Sequence, residues 1–159
     1  KEYDVPLNYK ICNEVIRVAL KVDKVELAEE WLMTMIISED EDTKPRGASL
    51  GFFLEHAYNK LDAKLALKFW NIVVKAGMFV TKRHYERIIS VMVICREYKV
   101  SLQFFENYKQ AYKPDDMILQ LIQDVYNKKD PAVRLREELI QNKEKEEAEG
   151  EEEEEEEEE

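Results

Sequence analysis

The chain has 159 residues, 45% of them apolar, with only four glycines and four prolines; this suffices for one domain with a real core and excludes a disordered or collagen-like chain. The formal net charge of -11 is confined to one end: from Lys143 onward there are 13 acids and 2 lysines, so residues 1–142 carry 22 acids and 22 bases. A neutral body argues against a dominant basic track for nucleic acid.

The abundance of Leu, Ala, Glu, Lys and Met favours helix over strand, so the fold class expected is all-α. Cys12 and Cys95 show no CxxC, no Cys/His cluster and no disulfide-framework spacing, and read as small buried hydrophobes in a reducing compartment. The apolar run Val91–Cys95 is far too short to cross a bilayer. The chain begins without Met or a targeting segment, which suggests an N-terminus removed or not included.

From Pro6 the positions Ile11, Val15, Ile16, Val18, Ala19 and Val22 follow a helical spacing, with Pro6 suited to the first turn. Asp23 offers an N-cap for a second helix whose apolar face is Leu27, Ala28, Trp31, Leu32 and Met35. The polar stretch Ser38–Gly47 is a loop. A third helix carries Leu50, Phe53, Leu54, Ala57 and Tyr58, and Asp62 caps a fourth with Leu65, Ala66, Phe69, Trp70 and Val73. In the stretch KAGMFVTKRHYERII, Gly77 sits where a helix ends in a left-handed residue and Thr81 where the next needs an N-cap hydroxyl. The fifth helix buries Tyr85, Ile88, Ile89, Met92 and Val93; the sixth presents Leu102, Phe104, Phe105 and Tyr108. After KPDD, in which Asp115 and Asp116 read as a helix-start cap, a seventh helix runs through Ile118, Leu121, Ile122, Val125 and Tyr126. Asp130 and Pro131 form an N-cap and first-turn pair for an eighth, which frays into the glutamate run Glu151–Glu159. That run cannot bury apolar surface and repels itself, so residues 143–159 are expected to be a disordered acidic tail.

The second helices superimpose without gaps: VELAEEWLMTM from Val25, AKLALKFWNIV from Ala63 and YKVSLQFFENY from Tyr98. Small residues Ala28, Ala66 and Ser101 share one column, aromatics Trp31, Phe69 and Phe104 another, and bulky Leu32, Trp70 and Phe105 a third. Small residues let helices approach and aromatics fill the gaps between hairpins. This is the logic of a solenoid of stacked units. A helical-repeat domain is expected over residues 5–142, with units at about 9–46, 47–81 and 82–116 and a partial unit at 117–142. An exposed apolar first helix would point to further repeats upstream, because solenoid ends need polar caps.

A helix-turn-helix unit of this length resembles the pentatricopeptide repeat. The likeness is carried best by Gly77, Tyr85, Ile88 and Ile89, which match the family's junction glycine, first-helix Tyr and following aliphatics. Tetratricopeptide repeats share the small-then-aromatic columns, but none of these units shows their Trp and Gly-Tyr pair. The sequence departs from the pentatricopeptide pattern at the Tyr position, which is Cys12 and Leu50 in the first two units, and at the mid-repeat glycine, replaced by Asp23, Leu61 and Arg96. The resemblance implies a right-handed α-solenoid in the mitochondrial matrix, acting without catalysis in RNA processing, stability or translation.

It also implies where RNA would be met, since the family reads one base per unit with the residue after the Tyr position and the last residue of the repeat. By register these are Asn13, Gly51 and Glu86, with Thr81 and Asp116 as last residues. Only Asn13 is a side chain the family commonly uses, so a base-by-base code is not expected. Lys75, Lys82, Arg83 and Arg87 cluster around the repeat junction and form a candidate patch for single-stranded RNA. The competing reading is an adaptor or structural repeat that grips protein components of a ribonucleoprotein such as the mitochondrial ribosome. No small-molecule substrate, cofactor or metal is expected. His56 and His84 have no sequence-near nucleophile or ligand partner, and the chain lacks a glycine-rich phosphate loop, HExxH and GxSxG. Trp31 and Trp70 are read as core rather than as stacking platforms.

Overall fold

The computed structural model describes residues 7–158. These form eight helices and no strand: α1 (Tyr9–Lys21), α2 (Val25–Ile37), α3 (Gly47–Lys60), α4 (Ala63–Lys75), α5 (Lys82–Ile94), α6 (Tyr98–Ala111), α7 (Asp116–Tyr126) and α8 (Ala132–Glu158). Pro6 lies outside the described residues. The first turn of α1 is instead closed by Asn8, whose side chain accepts from the Ile11 N–H at 3.0 Å.

Three helix pairs, α1–α2, α3–α4 and α5–α6, fold back on themselves and stack in chain order, the first helices α1, α3, α5 and α7 packing side by side. Every first helix ends the same way. A left-handed residue follows within two positions of the helix end: Asp23 (φ 60), Leu61 (φ 53), Arg96 (φ 60) and Lys128 (φ 55). Its N–H and the next one return to carbonyls of the last turn, as from Leu61 to Tyr58 at 3.3 Å and from Asp62 to Ala57 at 2.9 Å. The first three are the positions at which the pentatricopeptide pattern would place glycine, and here they are left-handed without it. Gly77, at φ 73, closes α4 in the same manner.

Two caps differ from expectation. Asp23 occupies the left-handed position, so Lys24 is the N-cap of α2 and makes no side-chain bond. Asp130 is itself left-handed and sends its carboxylate to Arg96 Nε at 3.1 Å and to the Tyr98 hydroxyl, tying the turn before α8 to the turn after α5. Asp62 and Thr81 cap α4 and α5 as anticipated.

Ala28, Ala66 and Ser101 are all fully buried, and the Ser101 hydroxyl is satisfied by the Tyr98 carbonyl at 2.6 Å. Around this column Phe53 stacks on Phe69 at 3.8 Å between ring centres, and Trp70 meets Phe104 edge-on at 5.3 Å, carrying the packing from α4 to α6. Helix α5 is buried on two sides: Ile88, Val91 and Met92 join the core of the first two pairs, while Ile89, Val93 and Ile94 join that of α6, α7 and α8. The Ser38–Arg46 loop folds back over α1, with the Tyr9 N–H donating to the Asp42 carbonyl at 2.8 Å and the Arg46 guanidinium 4.5 Å from the Tyr9 ring centre.

The eighth helix does not complete a fourth pair of the same kind. Ala132 and Leu135 are buried, Arg136 Nε donates to the Ile94 carbonyl at 2.9 Å, and Lys143 Nζ donates to the Asn59 carbonyl at 3.1 Å. Helix α8 therefore crosses the C-terminal ends of α5 and α3. Beyond Lys143 it continues as an exposed helix to Glu158 where disorder was expected. Glutamate is a good intrinsic helix former, and a helix needs no burial to satisfy its own backbone bonds.

Candidate nucleic-acid interface

Counting from the N-caps fixes the repeat register. These are Asn8, Arg46, Thr81 and Asp115, giving steps of 38, 35 and 34 residues. The fourth residue after each cap is Cys12, Leu50 and Tyr85, the Tyr position of the three units. Asp115, and not Asp116, thus closes the third unit; Asp116 is the exposed first residue of α7.

The residues expected to read bases fall in three different settings. In the first unit Asn13 is buried and its Oδ1 accepts from Ser49 Oγ at 2.6 Å, so it joins α1 to α3. In the third unit Asp115, the carboxylate neighbour of Glu86, is paired with Lys82 Nζ at 2.8 Å. Burial and the Asp115 carboxylate push the Glu86 carboxyl above its ordinary value, while the bond from Lys82 holds Asp115 below its own. Lys82 is thereby engaged by an acid.

The second unit is open. Gly51 and Thr81 line one cleft of about 430 Å³ between the N-terminal halves of α3 and α5, together with Gly47, Ala48, Phe52, Glu55, Arg83, His84 and Arg87. A side chain at Gly51 would meet nothing within 4 Å, so the cleft is open at the base-reading position. Its floor is set by His84. Nδ1 accepts from the Thr81 N–H at 3.1 Å while the His84 N–H faces Thr81 Oγ1 at 3.4 Å, a reciprocal capping box. With Nδ1 as acceptor, Nε2 carries the proton and donates to the Gly47 carbonyl at 2.7 Å. Burial lowers the His84 pKa below its ordinary value, although the Gly47 carbonyl opposes this, so the ring is held neutral.

Arg83 and Arg87 are exposed on one face of α5, one turn apart. The Arg87 guanidinium lies 5.6 Å from the Tyr58 ring centre, which supports it from the α3 side. It also borders a second cleft of about 320 Å³ whose other wall is Leu139, Asn142, Lys143 and Glu146 of α8. The junction patch is therefore divided. Arg83 and Arg87 share the cleft, Lys82 is paired elsewhere, and Lys75 is exposed in the last turn of α4 and does not line it.

Sequence reasoning missed Phe79. It is 79% exposed, the most exposed large apolar side chain recorded, two residues before Thr81. Its signal lay in the loop MFV between Gly77 and Thr81, where no helical periodicity accounts for an aromatic. Among the described residues no cluster of His, Cys, Asp and Glu has the geometry of a metal site, and no helix is long and apolar enough to cross a membrane. No protein-family model and no curated protein matches the chain.

Proposed function

We propose that the chain is a non-catalytic helical-repeat protein, resembling the pentatricopeptide proteins, that contacts single-stranded RNA in a mitochondrial ribonucleoprotein. The supporting observation is the convergence of Gly51, Thr81, Arg83 and Arg87 on one cleft between consecutive first helices. Two guanidiniums supply phosphate contacts, and the missing side chain at Gly51 admits a base without selecting it. Phe79 adds an exposed ring for stacking, a contact that every base tolerates. The right-handed superhelical sense and the matrix address belong to the same reading and rest on the resemblance alone.

A second reading has its own observation. The Lys82–Asp115 ion pair engages one cation of the junction patch and helix α8 crosses the ends of α3 and α5, which suits a structural subunit that grips protein and touches RNA in passing. The two readings separate in a salt titration of affinity for a short single-stranded RNA. RNA binding predicts that Arg83→Ala with Arg87→Ala weakens affinity and reduces the log-log salt slope by about 1.4, two contacts at the single-strand value. An unchanged slope, with affinity no better than non-specific, supports the adaptor.

A further inference from the structure

The N-cap register exposes one face that the fold leaves bare. Three, seven, ten and fourteen residues after the cap stand Ser49, Phe53, His56 and Lys60 on α3, and His84, Ile88, Val91 and Cys95 on α5. These faces receive the preceding first helix: Ser49 bonds Asn13, His84 bonds Gly47, and Phe53, Ile88 and Val91 are fully buried. The same positions on α1 are Ile11, Val15, Val18 and Val22. There Val18 is 45% and Val22 58% exposed, and with Leu27 of α2 they line a groove of about 360 Å³ that no described element covers.

The opposite end of the stack is unlike it. On α7 the outward positions are Leu119, Gln120, Gln123 and Tyr126, all exposed and half of them amides. A head-to-tail copy would set these amides against valines, a poorer match than valine against valine. The α1 face is complementary to itself. Its apolar residues follow the 4-3-4 spacing of a coiled-coil seam, and Glu14, which pairs within its own helix with Arg17 Nε at 3.0 Å, lies one heptad from Lys21 on the same rim. Two such helices packed antiparallel bring Glu14 of each against Lys21 of the other; packed in parallel they do not.

We propose that α1 is a dimer seam, packing antiparallel against α1 of a second copy about a two-fold axis. This stands independently of RNA binding, since the seam and the α3/α5 cleft share no residue. The test is sedimentation equilibrium of the 159-residue protein. The wild type shows a concentration-dependent dimer. Val18→Glu gives a monomer with an unchanged helical circular dichroism spectrum, because a site already half exposed accepts the carboxylate. Glu14→Lys and Lys21→Glu each raise the dimer dissociation constant by about tenfold, and the double swap restores it to within about threefold. A chain that stays monomeric, its α1 face left to some other protein, overturns the proposal. So does a dimer indifferent to Val18→Glu, or a double swap as weak as the single ones.

Discussion

Ser49 Oγ donates to Asn13 Oδ1 at 2.6 Å, and both side chains are buried between α1 and α3. This polar pair ties the first two units together and occupies the Asn13 carbonyl oxygen. Ser49→Ala leaves a buried amide oxygen unpaired and should cost about 1–2 kcal/mol in urea denaturation. Adding Asn13→Ala should cost less than the sum of the two single changes, because the second removes a group already orphaned. RNA affinity of the folded variants should be unchanged.

His84 makes stability depend on pH. Its folded pKa lies below the ordinary 6.5, so the unfolded chain binds the proton first as pH falls. The contribution is therefore complete above about 6.5 and is lost as pH drops from there toward the folded pKa. Glu86 acts in the opposite sense at lower pH. Its raised folded pKa makes its contribution complete below the unfolded value and lost as pH rises through the folded one. The difference in unfolding free energy between wild type and His84→Gln, measured from pH 5 to 8, isolates the histidine and should grow with pH before levelling. A flat difference would mean that the ring titrates alike in both states.

The left-handed turns give a paired prediction. Leu61 holds φ 53 with a β-carbon, and Gly77 holds φ 73 without one. Leu61→Gly relieves strain of about 1–2 kcal/mol and gives part of it back in unfolded-chain entropy, for a net gain of about 0.5 kcal/mol. Gly77→Ala has room for its methyl yet should lose about 1 kcal/mol from backbone strain alone. Thermal melts of the two variants should move in opposite directions.

Much of this architecture was legible in the residues. The helical period of the apolar positions, the Gly77 and Thr81 punctuation and the column of Ala28, Ala66 and Ser101 all correspond to what is seen. The local caps at Asp23 and Asp130 were not legible, because aspartate serves both as an N-cap and as a left-handed residue and only the neighbouring turn decides between them. Nor was the path of α8, which depends on Arg136 finding the Ile94 carbonyl and Lys143 the Asn59 carbonyl across gaps of 42 and 84 residues. At the candidate site, the charge cluster pointed to Arg83 and Arg87, but that Asp115 takes Lys82 out of it needed the third dimension.

The small-residue column should resist enlargement. Ala28 and Ala66 are fully buried in the core, so Ala28→Leu and Ala66→Leu should each cost about 1–3 kcal/mol by overpacking. The same change at exposed Ala148 should be silent. Equal losses at the two buried sites would reflect equivalent seats; a loss at only one would break the repeat.

The exposed end of α8 carries its own test. Residues from Gln141 onward are exposed wherever burial is described, so deleting residues 144–159 should leave the thermal midpoint within about a degree or two. Glutamate repulsion weakens that helix at neutral pH. The full chain should therefore gain helical circular dichroism as added salt screens that repulsion, and the shortened chain should not.

The amide chemical-shift map of the protein on adding a short single-stranded RNA locates any contact residue by residue. The signals of Gly47, Gly51, Thr81, Arg83 and Arg87 should move together while those of α2 and α6 stay still. Shifts absent from the α3/α5 cleft, or confined to other helices, would contradict RNA binding at that cleft.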